Sequence, residues 1–81
     1  MPRFFFDVDD GDVIYDVDGV ELADLSAARA EMAGGLCQLA MSKIPVREAI
    51  RIQIDVLNDR RKTVATGTLM LAIEPALVLE H

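Results

Sequence analysis

Asp7, Asp9, Asp12, Asp16 and Asp18 crowd the start of this chain, and their spacing raises the possibility of a divalent-cation site. Calcium takes roughly six to eight oxygen ligands, and clustered carboxylates on a turn can supply them. The helix–loop–helix calcium pattern puts glycine sixth and a bidentate glutamate twelfth. Counted from Asp7, glycine is fifth here (Gly11) and the twelfth residue is Asp18, and the flanks read as strands. A tight turn with a solvated acidic rim accounts for the same residues. If a metal binds anywhere, it is at these five aspartates.

Other chemistry finds less to work with. Two carboxylates can act as acid and base across a glycosidic bond, but only in a cleft, and one thin layer over a sheet offers little room for one. Ser26, Ser42 and Cys37 could be nucleophiles, yet each needs a base to activate it. The only histidine is His81. Leu79-Glu80-His81 matches a cloning-site scar followed by a truncated polyhistidine tag, and is set aside. Cys37 is the single cysteine, so a disulfide is excluded, and in an apolar helical stretch it reads as a small core hydrophobe. Glycine-rich phosphate loops are missing, since Gly34-Gly35 falls inside a helix rather than before one. The expectation is a non-enzyme without a cofactor.

Charge narrows the partners. Residues 1–24 carry eight acids against Arg3 alone, a net −7, whereas residues 25–81 carry six acids and seven bases, a net +1. An acidic first third repels phosphate backbones and nothing elsewhere forms a basic stripe, so nucleic acid is not an expected partner. No apolar run approaches the roughly 20 residues of a membrane helix, and the start does not resemble a secretion signal. A cytoplasmic protein is expected.

These side chains must be positioned by short elements. Arg3 to Val8 is aromatic and reads as a strand with Phe4, Phe6 and Val8 on one face. Asp9-Asp10-Gly11-Asp12 supplies a turn, Val13-Ile14-Tyr15 resumes the apolar run, and residues 3–16 read as a hairpin. Asp18-Gly19 marks a further turn. Asp24 is a candidate helix N-cap. Leu25, Ala28, Met32, Leu36, Leu39 and Ile44 then recur at helical spacing, with Lys43 in the last turn and Pro45 as the stop. Gly34-Gly35 interrupts that helix, either as a tolerated weak point or as a close approach by another backbone. Ala49 to Leu57 alternates, with Ile50, Ile52, Ile54 and Val56 facing one way. Asn58 to Lys62 is a polar turn, and Thr63 to about Ile73 is a last strand, with Gly67 a candidate bulge and Pro75 its end.

The order ββαββ predicts an α+β domain over residues 1–78: a four-stranded antiparallel sheet with one helix on one face. Phe5, Leu69 and Leu71 (or Met70, in the other register) cannot all point at one helix, so an apolar patch on the second face is expected. Arg60, Arg61 and Lys62 add a basic turn that could meet an acidic partner. A domain this small buries only about 60% of the surface its unfolded chain exposes and often adds a partner subunit. A self-associating, homodimeric protein–protein interaction module is therefore the leading expectation.

The opening MPRFFF, the turn DDGD, the segment Asp16 to Leu25 (D-V-D-G-V-E-L-A-D-L) and S-A-A-R-A-E after it resemble a family of short bacterial proteins. Its members are common in rhizobia and related alphaproteobacteria and are catalogued as a domain of unknown function. The resemblance covers residues 1–32 and continues more loosely as strand, polar turn and strand. It implies a cytoplasmic bacterial protein and brings no activity with it. Family members often carry histidines near Asp7 and Asp9, where this chain has aspartates. The helix opening at Asp24-Leu25 is also similar to small antitoxin domains, without their proline. An antitoxin- or regulator-like binding domain and a weak divalent-cation binder are thus the alternatives.

Overall fold

The computed structural model describes residues 1–43 and 49–73. Within them lie β1 (Arg3–Asp9), β2 (Val13–Ile14), β3 (Val20–Glu21), α1 (Leu25–Lys43), β4 (Ala49–Leu57) and β5 (Thr63–Ala72). Ile44, Pro45, Pro75 and the tag-like Leu79-Glu80-His81, all used in the sequence reading, fall outside the described residues.

Alternation decides β4. Ile50, Ile52, Ile54 and Val56 are buried while Ala49 and Arg51 face solvent, and Ile52 and Val56 lose all exposure. Burying each of these side chains stabilises by about 1.5–3 kcal/mol relative to exposure. Phe4 from β1 and Ala28 and Leu36 from α1 pack on the same side, with Phe6, Val8, Met32, Leu39, Leu69 and Leu71 partly buried around them. This single layer between helix and sheet is the core.

All strand pairs are antiparallel, in the order β2-β1-β4-β5, with β3 also pairing β1. Because β3 and β4 both run against β1, they are parallel to one another, and α1 crosses over β1 to join them. The expected α+β class with one helix and an antiparallel sheet holds, but among the described residues the sheet has five strands, not four. The second strand of the first hairpin is broken into β2 and β3. Val13-Ile14 pairs with Asp9 and Val8, Val20-Glu21 with Phe4 and Arg3, and residues 15–19 leave the ladder between them.

Gly67 is a second correction. It pairs regularly with Ile54, and the register shift of the β4–β5 ladder lies at Val56/Leu57 instead. What Gly67 provides is room: a Cβ there would stand 2.8 Å from the Met32 sulfur and 3.1 Å from Leu36 Cδ1. The close approach by another backbone considered for Gly34-Gly35 is not made among the described residues of the chain. Gly34 meets nothing within 4 Å, and a Cβ on Gly35 would make an ordinary 3.4 Å contact with Ile54.

The helix starts as its sequence predicts. The Ala27 amide donates to Asp24 Oδ1 at 2.8 Å, so Asp24 is the N-cap. At the other end the Lys43 ammonium sits 2.7 Å from Asp10 Oδ2, tying the last turn of the helix to the β1–β2 turn.

Candidate functional site

The acidic segment is organised around Asp16. Its carboxylate accepts from the amides of Phe6 (3.1 Å), Gly19 (3.0 Å) and Asp18 (3.2 Å), while its own amide donates to Asp7 Oδ1 (3.0 Å). The side chain therefore substitutes for the backbone partner that β1 lacks where the second strand breaks. Desolvation alone would raise the Asp16 pKa. The three amide donations and the charge of Arg61 outweigh it, and the group titrates below the ordinary aspartate value. Asp10 is lowered too, chiefly by its hydrogen bond from Lys43.

The rest of the acidic set is engaged in part, through the carboxylates of Asp9 and Asp10 and the backbone of Asp12 and Asp18. Asp9 Oδ1 accepts from the Gly11 amide and Asp10 Oδ1 from the Asp12 amide, while the Asp18 carbonyl takes a guanidinium hydrogen of Arg3 at 2.8 Å. These are turn-forming bonds. Asp7, Asp9, Asp12, Asp16 and Asp18 are spread along a broken edge, and among the described residues no three carboxylate, thiol or imidazole side chains converge to hold a metal ion.

One neighbour escaped the sequence reading. Asp55 of β4 lies directly across from Asp7, and with Asp9, Tyr15 and Gln53 these residues line a shallow hollow of about 170 Å³ on the helix-free face. Asp55 Oδ1 accepts from Thr66 Oγ1 (2.8 Å) and Gln53 Nε2 (3.3 Å), and Gln53 accepts from Arg51 (2.9 Å). The alternation of β4 already placed Arg51, Gln53 and Asp55 on one face; the partner strand was the missing information.

The residues expected to form an apolar patch are not brought together. Leu69 and Leu71 lie beneath α1, packed against the core. Phe5 is on the other face yet is buried, because the Arg61 guanidinium covers its ring at 3.8 Å from the centroid and Gly19 closes on its edge. A Cβ at Gly19 would fall 2.8 Å from both the Phe4 carbonyl oxygen and Phe5 Cε2, and its φ of +68° suits glycine in any case. In the basic turn, Asn58 Oδ1 accepts from the amides of Arg60 and Lys62, Arg61 holds φ at 62° with its guanidinium over Phe5, and all three basic residues are exposed. The open face mixes polar residues with exposed Tyr15, Val64 and Met70.

The sheet's two edges differ sharply. On one, β2 and β3 are two residues each and the acidic loops surround them. On the other, β5 runs ten residues, Thr63-Val-Ala-Thr-Gly-Thr-Leu-Met-Leu-Ala72, without a charge or a proline. Among the described residues nothing pairs with its outer side. Natural sheets normally protect such an edge with charge, proline, a bulge or brevity. Apart from the register shift near Thr63, β5 has none of these.

Among the described residues no helix is long and apolar enough to cross a membrane. Neither the curated proteins nor the solved structures contain a match to the chain. The model of a domain of unknown function, DUF6894, does match, over residues 3–70. That stretch takes in the aromatic first strand, the Asp16 loop, the helix, β4 and most of β5, so this chain belongs to the DUF6894 family.

Proposed function

We propose that this domain is a non-catalytic protein–protein interaction module that self-associates through the free edge of its sheet. The supporting observation is β5: ten uncharged residues whose outer backbone groups have no partner among the described residues. Such a row of amides and carbonyls is a template for another strand. Among the candidate carboxylates, those of Asp7, Asp9 and Asp16 are occupied as acceptors in turns and beside the β1 ladder. The resemblance carried by the first 32 residues supports a cytoplasmic protein of alphaproteobacterial type. Neither the antitoxin-like nor the cation-binding reading has an observation of its own in its favour.

Sedimentation velocity from micromolar to millimolar protein tests the reading. A concentration-dependent dimer is the expected result. A monomer throughout that range would rule self-association out.

A further inference from the structure

We infer that two copies of this chain pair antiparallel along β5, forming one continuous sheet with both helices on the same side, and that the flank of α1 above β5 is the second half of that interface. This rests on the self-association proposed above and adds the surface, the symmetry and the contacts.

The helix supplies an observation independent of the strand. Of its nineteen residues only Arg29, Glu31 and Lys43 are charged. A surface helix ordinarily carries a charged outer face, and one that is apolar nearly all round is normally covered. The uncovered part can be located. Glu31, Gln38 and Ser42 look onto a groove of about 540 Å³ on the β1 side of the helix. Met32 and Leu36 point down at Gly67. At about 100° per residue, Ala30, Ala33 and Cys37 fall on the opposite flank, toward β5's outer edge, and all three are exposed, Cys37 in contrast to the core position expected of it. Arg29 is the single charge on that side.

Charge selects a second copy as the occupant. Each chain carries a net −6, with the acid concentrated in residues 1–24 on the β2/β3 edge. Two copies approaching by that edge would set carboxylates against carboxylates. The β5 edge and the helix flank above it are the surface farthest across the sheet from those acids, and they offer backbone and small apolar side chains to an identical surface.

Geometry then constrains the axis. Directly opposed residues of an antiparallel pair put their side chains on one face of the sheet. A two-fold axis perpendicular to the sheet must therefore pass through a residue and not between two. β5 pairs without interruption from Ala65 to Ala72, which puts the axis at Thr68 or Leu69, the two positions that leave seven of those eight residues paired. In these two cases Thr68, exposed on the helix-free face, stands opposite Thr68 or Met70 of the second copy. Seven strand residues span about 24 Å. With about 20 Å of depth through sheet and helix, each copy buries on the order of 500 Å², close to the roughly 1,000 Å² total that a specific interface needs.

The test is sedimentation equilibrium on Thr68→Lys, Thr68→Glu, their equimolar mixture, and Ala33→Lys. Both positions are exposed, so unchanged circular dichroism and melting at low concentration verify the monomer fold. Each single variant is expected to weaken dimerisation at least tenfold, and mixing Thr68→Lys with Thr68→Glu to restore a heterodimer. If the wild type dimerises and both Thr68 variants dimerise equally well, the β5 interface is wrong while self-association stands, through another surface. If only Ala33→Lys is without effect, the helix flank is not part of the contact. A monomeric wild type overturns both this inference and the reading beneath it.

Discussion

The guanidinium of Arg61 lies 3.8 Å from the centroid of the Phe5 ring and donates to the Asp16 carbonyl at 3.0 Å. One side chain of the β4–β5 turn thus covers an aromatic ring of β1 and closes the loop that interrupts the first hairpin. It also explains why Phe5, on the face without a helix, is only 8% exposed. Arg61→Ala should cost about 1–2 kcal/mol, from a cation–π contact of about 0.5–1 and a hydrogen bond of about 1. Arg61 holds φ at 62°, a conformation costing a non-glycine residue about 1 kcal/mol. Arg61→Gly should therefore be the more stable of the two variants in urea denaturation, although both lose the same side chain. Equal stabilities would show that the left-handed backbone carries no strain.

Asp16 should control the acid limb of stability. Its pKa is lowered in the folded protein, so the unfolded chain binds the proton more tightly. The resulting stabilisation is complete above the ordinary aspartate range near about 4 and is lost as pH falls through the depressed folded value. Asp16→Asn keeps Oδ1 as acceptor for the Asp18 and Gly19 amides and removes the titration, so its melting temperature should fall less steeply over that acid window. Asp10 shifts in the same direction and remains in both proteins, which leaves the difference to Asp16. Asp16→Ala strands three amides, those of Phe6, Asp18 and Gly19, and should cost about 2 kcal/mol at neutral pH. Parallel acid limbs in wild type and Asp16→Asn would refute the assignment.

Gly67 and Met32 should behave as a coupled pair. A Cβ at position 67 meets the flexible end of Met32, not rigid backbone. Gly67→Ala should then cost only about 1 kcal/mol, as the thioether swings toward the groove beside it. In a Met32→Ala background the cost should vanish, giving a coupling of about 1 kcal/mol in a double-mutant cycle. Additive effects would mean that another neighbour, Leu36 first, sets the limit.

Local signals made most of this fold legible, and pairing hid the rest. The alternation of Ala49–Leu57, the Asp24 cap and the face shared by Phe4, Phe6 and Val8 each depend on a few adjacent residues, and each appears as read. The failures are non-local. The break between β2 and β3 depends on an Asp16 carboxylate reaching across to the Phe6 amide ten residues away. Leu69 and Leu71 go under the helix because β5 registers with β4 as Leu69 with Ile52 and Leu71 with Ile50. A single sequence gives the alternation of β5 without saying which set faces inward. Asp55 escaped attention because its meaning comes from standing opposite Asp7, and Phe5 looked available because nothing nearby in the chain announces the cover of Arg61.

The two helical glycines offer a test of the remaining slack. Gly34 is exposed, and an added Cβ there would meet nothing within 4 Å, so alanine gains helix propensity without a steric cost. Gly34→Ala should stabilise the fold by about 0.5–1 kcal/mol, which for a domain of this size raises the melting temperature by roughly 2–8 °C. Gly35→Ala adds an ordinary 3.4 Å contact with Ile54 and should gain at least as much. If Gly34→Ala melts lower than wild type while its monomer remains folded, position 34 has a neighbour that the isolated chain does not show. A weaker dimer in the same variant would place that neighbour on the second copy.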